Sequence, residues 1–215
     1  MNKPAIGIVG AGGFGSEVMP LLKKTLLNTK EIGSELYFID SDKNKIESDG
    51  VKILSEEDFM TLNNNTKYFN IAIANSTIRE RLSLKFEEKS VEPFGIISDE
   101  SIFLRNVEFG KGCIVFPNSV FTSNIEVGNF FHSYHFVSVA HDCRIGNFVT
   151  IAPGALINGN VTIGDHAYVG SGAVIKQGVS VGSNAMIGMG SVVIDDVESG
   201  TTVAGNPAKL IKTIT

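Results

Sequence analysis

The sequence predicts a two-part chain: a small α/β unit with a parallel sheet, then an all-β solenoid in the form of a triangular parallel β-helix. Three observations carry that prediction. A glycine-rich loop, Gly10-Ala11-Gly12-Gly13-Phe14-Gly15, follows a short apolar run and opens a helix-like stretch. From Phe109 to Val193 every sixth residue is apolar, with Ser133 the one exception. Beneath that beat Gly110, Gly128, Gly146, Gly164 and Gly182 recur every eighteen residues, three sixes. A fixed period marks a solenoid, in which each unit buries its apolar face only by stacking on its neighbours.

In the first part, residues 1–97, Ala5-Ile6-Gly7-Ile8-Val9 reads as a buried parallel strand. The glycine loop comes next, then a helix from Ser16 to Thr25 with Val18, Leu21, Leu22 and Leu26 at helical spacing. Leu36-Tyr37-Phe38-Ile39 is a second strand closed by Asp40, Tyr68 to Ala74 another, and Thr77 to Glu88 a helix. This alternation is Rossmann-like. Gly10, Gly12 and Gly15 satisfy G-x-G-x-x-G after a strand and before a helix, the context in which backbone N–H groups approach a phosphate. Asp40, twenty-five residues past Gly15, is placed to accept from a ribose hydroxyl. Fewer than a hundred residues supply about one mononucleotide half, so the loop points to a mononucleotide or a nucleotide-sugar. On the loop alone, an NAD-dependent oxidoreductase remains a rival.

The solenoid spans residues 98–200, room for five to six coils and a prism about 25 Å long at the usual strand spacing. Residues 201–215 form a tail. Gly128-Asn129, Gly146-Asn147, Gly159-Asn160 and Gly164-Asp165 suit corners, where positive φ is tolerated. Cys113 and Cys143 are thirty residues apart, not a whole number of coils, and each precedes a beat position by two; both are expected in the core and unbridged. A net charge of −5 argues against a nucleic-acid partner, which needs a basic stripe. The start carries no signal peptide pattern and no apolar run reaches membrane-spanning length, so a reduced, cytoplasmic protein is expected, with no membrane partner.

Polar exceptions to the beat mark a candidate site. His132, His135 and His141 surround Ser133, while His166 follows Gly164-Asp165 as a solvated corner residue. Asp142 beside His141 can orient that imidazole and raise its basicity, as a general base near neutral pH requires. The gamma-class carbonic anhydrases resemble this solenoid and bind metal through histidines, two of them five residues apart. Here the histidine separations are 3, 6, 9, 25, 31 and 34, so no metal is expected.

The glycine loop, Ala140-His141-Asp142-Cys143, Ile151-Ala152-Pro153-Gly154-Ala155, Gly159-Asn160-Val161 and the closing Gly205-Asn206-Pro207-Ala208-Lys209 together resemble the hexapeptide-repeat sugar O- and N-acyltransferases. That branch includes sialic acid O-acetyltransferases and bacillosamine-type UDP-4-amino-sugar N-acetyltransferases. The resemblance implies a left-handed β-helix, a homotrimer, and acetyl-CoA in grooves between prisms. It implies His141 as general base, Asp142 as its orienting acid, and Gly159 as the backbone N–H donor to the thioester oxygen. Thr150, where many members carry a second histidine, and Ser171 are placed on the acetyl-CoA side. Gly12, Gly13, Phe14, Gly15, Asp40 and Asn75 are placed in the nucleotide-sugar pocket, with Phe14 standing where members often carry histidine.

The resulting expectation is an acetyl-CoA-dependent transferase acting on the amino group of a UDP- or dTDP-linked 4-amino sugar. O-acetylation of a sugar such as sialic acid is the nearer alternative, and a non-catalytic trimeric nucleotide-sugar binder the more distant one.

Overall fold

β1 (Ala5–Val9) is buried at every position and lies in the middle of a sheet. The computed structural model describes residues 3–27, 29–42, 44–64 and 66–213. They fall into two units, Met1–Ile96 and Ile97–Thr215, where the sequence pattern changes at Ile97-Ser98.

In the first unit β1 is followed by α1 (Gly13–Leu26), β2 (Glu35–Ile39), β3 (Glu47–Ser48), β4 (Val51–Leu54), α2 (Glu56–Thr61), β5 (Lys67–Ile71), α3 (Ser76–Glu88) and β6 (Glu92–Pro93). The sheet order is β3-β4-β2-β1-β5-β6, parallel except for the β3–β4 pair. Five parallel strands are more than the single mononucleotide half that length suggested. The strand order reverses beside β1, and in open α/β sheets ligands sit outside the carboxyl ends of the strands at such a switch point. Here those ends are the glycine loop after β1 and residues 72–75 after β5.

α1 begins three residues before the expected Ser16, inside the glycine loop. The glycines explain why. Gly10 has φ +103°, and a Cβ there would meet the Ala72 carbonyl oxygen at 2.9 Å. A Cβ on Gly15 would run into the Gly10 carbonyl, so the helix can pack this close to β1 only through glycine. Val18, Leu21, Leu22 and Leu26 form the buried face, as their spacing predicted. β4 and α2 were not foreseen: β4 is four residues long, and α2 is a six-residue helix whose Ser55 cap accepts from Asp58 N–H.

The second unit is a parallel β-helix with three faces. Face one carries Ser138–Val139, Leu156–Ile157, Val174–Ile175 and Val192–Val193. Face two carries Arg144–Ile145, Thr162–Ile163 and Ser180–Val181, and face three His132–Ser133, Thr150–Ile151, Tyr168–Val169 and Met186–Ile187. Earlier coils contribute Ile102–Phe109 and Val120–Val127, which run through the corner from face one to face two. Partners are eighteen apart, as in Ser138↔Leu156, Arg144↔Thr162 and His132↔Thr150. The last coil is shortened to sixteen, Val181↔Val197 and Met186↔Thr202. Of the segment read as a tail, Thr201–Gly205 continues face three and Ala208–Thr213 folds back antiparallel on it.

The beat residues and the positions two before them fill one core, with Cys113 and Cys143 both buried and not joined in a disulfide. Ser133 is also buried, between Val115 and Ile151. Phe121 and Phe131 occupy the same stretch of core with ring centroids 6.3 Å apart, so a small side chain suits this coil. The break in the beat is therefore a packing adjustment.

The corners correct the sequence reading. Of the four Gly-Asn/Asp pairs only Asn160 itself has positive φ, 59°; at the others the next residue does, namely Phe130, Phe148 and His166. Phe130 and Phe148 stack at 5.5 Å, and Phe148 and His166 at 5.2 Å, so ring stacking holds bulky residues in a backbone region they rarely visit. His166 is accordingly a stacked corner residue, not simply a solvated one. The eighteen-residue glycines serve close approach: a Cβ on Gly128 would lie 2.6 Å from the Gly146 carbonyl carbon of the next coil. The neighbouring amides and carboxylate form a ladder, Asn129 Oδ1 accepting from Lys111 N–H, Asn147 Oδ1 from Asn129 N–H and Asp165 Oδ1 from Asn147 N–H.

Candidate active site

The corner from face one to face two places His141 and Asp142 at the surface, with side chains 52% and 46% exposed. Asp142 has φ 60°, and this turn points its carboxylate back at the imidazole: Asp142 Oδ2 lies 2.8 Å from His141 Nδ1. Its other oxygen, Oδ1, accepts from Asn124 Nδ2 at 3.0 Å, one coil earlier. The Asn124 hydrogen bond, then that of His141, hold the Asp142 carboxyl below the usual carboxylate range, so it is ionised at neutral pH. A carboxylate at Nδ1 favours the tautomer with its proton there and leaves Nε2 with a lone pair.

Gly159 lies under that ring. A Cβ at Gly159 would stand 2.6 Å from both His141 Cε1 and Nε2, so the imidazole can occupy this position only because residue 159 has no side chain. No acceptor for the Gly159 N–H is found among the described residues, whereas the adjacent Asn160 N–H is used by the His141 carbonyl at 2.8 Å. A groove of about 460 Å³ adjoins the corner, lined by Asn124, Glu126, Asp142, Arg144, Asn160 and Thr162. A base with a free lone pair, held over an unused amide N–H, can take a proton from an attacking group while an oxyanion is stabilised.

The other predicted residues do not gather here within one chain. Thr150 is buried on face three, paired with His132 and Tyr168, one corner beyond face two. Ser171 is exposed at the corner between face three and face one, where its carbonyl accepts from Gly190 N–H. His132 is buried on face three, and His135 sits at the face three to face one corner with its ring 4.7 Å from Phe116. The histidines close in sequence thus stand on separate parts of the prism.

In the first unit, Gly12 and Gly13 face open space. The α1 N-terminus has no side-chain cap, unlike α2 and α3, and no acidic residue in its first turn, unlike α2, which leaves amide donors and a positive dipole end for an anion. Phe14 is half-buried in that first turn. Asp40 stands at the end of β2, against the glycine loop. Its Oδ2 accepts from Ala11 N–H at 2.9 Å and its Oδ1 from Asp42 N–H at 3.0 Å, so it ties down the glycine loop. Partial burial pushes its carboxyl up, but the Asp42 and Ala11 N–H groups, with the Lys45 charge, outweigh that and leave it lowered. Asn75 is the N-cap of α3, its Oδ1 accepting from Ile78 N–H at 2.9 Å. Sequence reasoning missed Arg79, fully buried on α3, whose guanidinium donates to the Ile73 and Ala74 carbonyls and shapes the loop after β5.

Two family models match the chain: PglD N-terminal domain over residues 5–86, and Bacterial transferase hexapeptide (six repeats) over 142–177 and 160–195. The solved structure of WeeI from Acinetobacter baumannii AYE is 42% identical, covers 97% of this chain and all of its own, and superposes with a TM-score of 0.91. The chain belongs to the hexapeptide-repeat sugar acyltransferases. Its β-helix is the left-handed one of that family, paired with a Rossmann-like N-terminal unit. The acetyltransferase domain of PglB from Neisseria gonorrhoeae FA1090, solved in complex with acetyl coenzyme A, is 28% identical over 98% of this chain and all of its own, with a TM-score of 0.78. A curated member, GDP-perosamine N-acetyltransferase of Escherichia coli O157:H7, is 43% identical over 129 residues, 59% of this chain. The match spans 58% of that relative's length. No helix among the described residues is long and apolar enough to cross a membrane, and none of their His, Cys, Asp and Glu clusters could hold a metal ion.

Proposed function

We propose that the chain transfers the acetyl group of acetyl-CoA to the amino group of a nucleotide-linked 4-amino sugar, with His141 as general base. The observation that carries this reading is the His141 imidazole lying over Gly159 with its Nδ1 tied to the Asp142 carboxylate. The sugar amine attacks the thioester carbonyl carbon as His141 Nε2 takes its proton. Negative charge gathers on the carbonyl oxygen, where the Gly159 N–H donates to it. The C–S bond then breaks, the leaving thiolate takes the proton from the imidazolium, and an amide and CoA result. Asp142 stabilises the imidazolium in between, and no acyl-enzyme forms.

The relatives support acceptor and donor: one is named for N-acetylation of GDP-perosamine, and another was solved with acetyl coenzyme A. The open Gly12 and Gly13 and the uncapped α1 suit the diphosphate of a nucleotide-sugar. The relative's guanine nucleotide stands beside the uracil or thymine nucleotide suggested by sequence, and both belong in the test. A homotrimer is part of the same reading. It is supported by the apolar strip of Phe136, Leu156, Tyr168, Met186 and Met189, between 37% and 82% exposed, along the face three to face one edge.

The test is release of free CoA from acetyl-CoA with GDP-, UDP- and dTDP-linked 4-amino sugars and with sialic acid, the product then treated with hydroxylamine. Turnover with a nucleotide-linked amino sugar to a hydroxylamine-stable N-acetyl product is expected. An ester product, or turnover with sialic acid alone, would overturn N-transfer; no turnover with any acceptor would favour a binding protein.

A further inference from the structure

We propose that Asn124, with Asn106 behind it, is a positioning residue for the transfer: its amide holds the Asp142 carboxylate in the orientation that aims His141. The inference rests on His141 acting as the base. The three side chains stand at the same corner of successive coils, eighteen residues apart, with φ 49°, 57° and 60° for Asn106, Asn124 and Asp142. Asn106 Nδ2 donates to Asn124 Oδ1 at 3.1 Å, Asn124 Nδ2 donates to Asp142 Oδ1 at 3.0 Å, and Asp142 Oδ2 meets His141 Nδ1 at 2.8 Å. The chain of contacts is directional: Asn106 donates on nitrogen, Asn124 accepts on oxygen and donates on nitrogen, and the chain ends with a donor aimed at the carboxylate.

The need for such a chain follows from exposure. An exposed His–carboxylate pair is a weak restraint, and the terminal torsion of an aspartate is broad. With its side chain 46% exposed, Asp142 held by the imidazole alone would turn in solvent. A second hydrogen bond, from a coil fixed by the core, removes that freedom. The charged side chains on the same and adjoining rungs are Arg105, Glu108, Glu126 and Arg144, with Arg144 facing Glu126 at 3.9 Å, and a neutral donor at position 124 adds no charge beside the His141–Asp142 pair. An aspartate at position 124 would set a second carboxylate against Asp142. The column continues to Asn160 and to Gly178 at φ 79°, so glycine is accepted at this corner without backbone strain.

The test compares full-length Asn124→Gly and Asn124→Asp with the parent chain in the CoA-release assay across pH, alongside melting temperature. Asn124→Gly is expected to lower kcat about tenfold with both KM values within twofold. Asn124→Asp is expected to move the acidic limb of the kcat/KM profile to higher pH, because an added carboxylate favours the imidazolium, which is not a base. A corner with a structural role only would move the melting temperature and leave kcat per folded molecule and the acidic limb unchanged; that result overturns the proposal while the base assignment stands. Undiminished turnover by His141→Ala would overturn both.

Discussion

At the scale of single residues, the site depends on what is missing at position 159 as much as on what is present at 141. The His141 ring occupies the space a Cβ at Gly159 would need. The obstruction is a side chain rather than backbone, so Gly159→Ala should fold normally while the imidazole swings out and leaves Asp142. A displacement of that kind can cost about a hundredfold in rate. Gly159→Ala is therefore predicted to lose about two orders of magnitude in kcat with a melting temperature near that of the parent, as steady-state kinetics and thermal denaturation would register. The His-Asp dipeptide and the eighteen-residue step to Gly159 were legible in the sequence. Asn106 and Asn124 share that step with Asp142, so the same count contains them, but asparagine at a corner reads first as turn chemistry. Asp40 was legible as a strand-end acid, while its bond to Ala11 N–H depends on how the glycine loop folds back, which spacing does not specify.

At the scale of elements, the six-residue beat located the core because side-chain direction in a coil is periodic. The corners were less legible. Asparagine and aspartate tolerate positive φ locally, and the sequence reading placed it on them. Stacked rings impose it instead on Phe130 and Phe148, through contacts between coils that no local preference encodes. The periodic glycines make a sharper prediction. A Cβ on Gly146 would press on the backbone N of Asp165 at 2.7 Å, which the stacked coil cannot move. Gly146→Ala should cost about 1–3 kcal/mol and lower the melting temperature by several degrees, leaving KM values near those of the parent. In the first unit the long elements were legible by pattern, whereas β4 and α2 were too short to rise above it.

At the scale of the whole molecule, a Rossmann-like unit with an open, uncapped helix start is joined to a solenoid with a base over an amide donor. The division of labour proposed is that the first recognises the nucleotide and the second carries out the transfer. Handedness of the coil came from family resemblance, since a repeat length is the same for either hand. The exposed apolar strip from Phe136 to Met189 is a surface for self-association, and with the homotrimer the family resemblance implies, the chain is predicted to sediment as three copies at micromolar concentration. Asp substitutions at Leu156 and Met186 should reduce the sedimenting mass toward one copy; a parent chain that sediments as a monomer would contradict the trimer.

Whether His141 is the base of an acyl transfer is tested by single-turnover acetyl transfer by His141→Ala to a nucleotide-linked 4-amino sugar, with acetyl-CoA binding measured in parallel by calorimetry. A transfer rate reduced at least a hundredfold with acetyl-CoA affinity unchanged is expected. Transfer at the parent rate with His141 removed would contradict it.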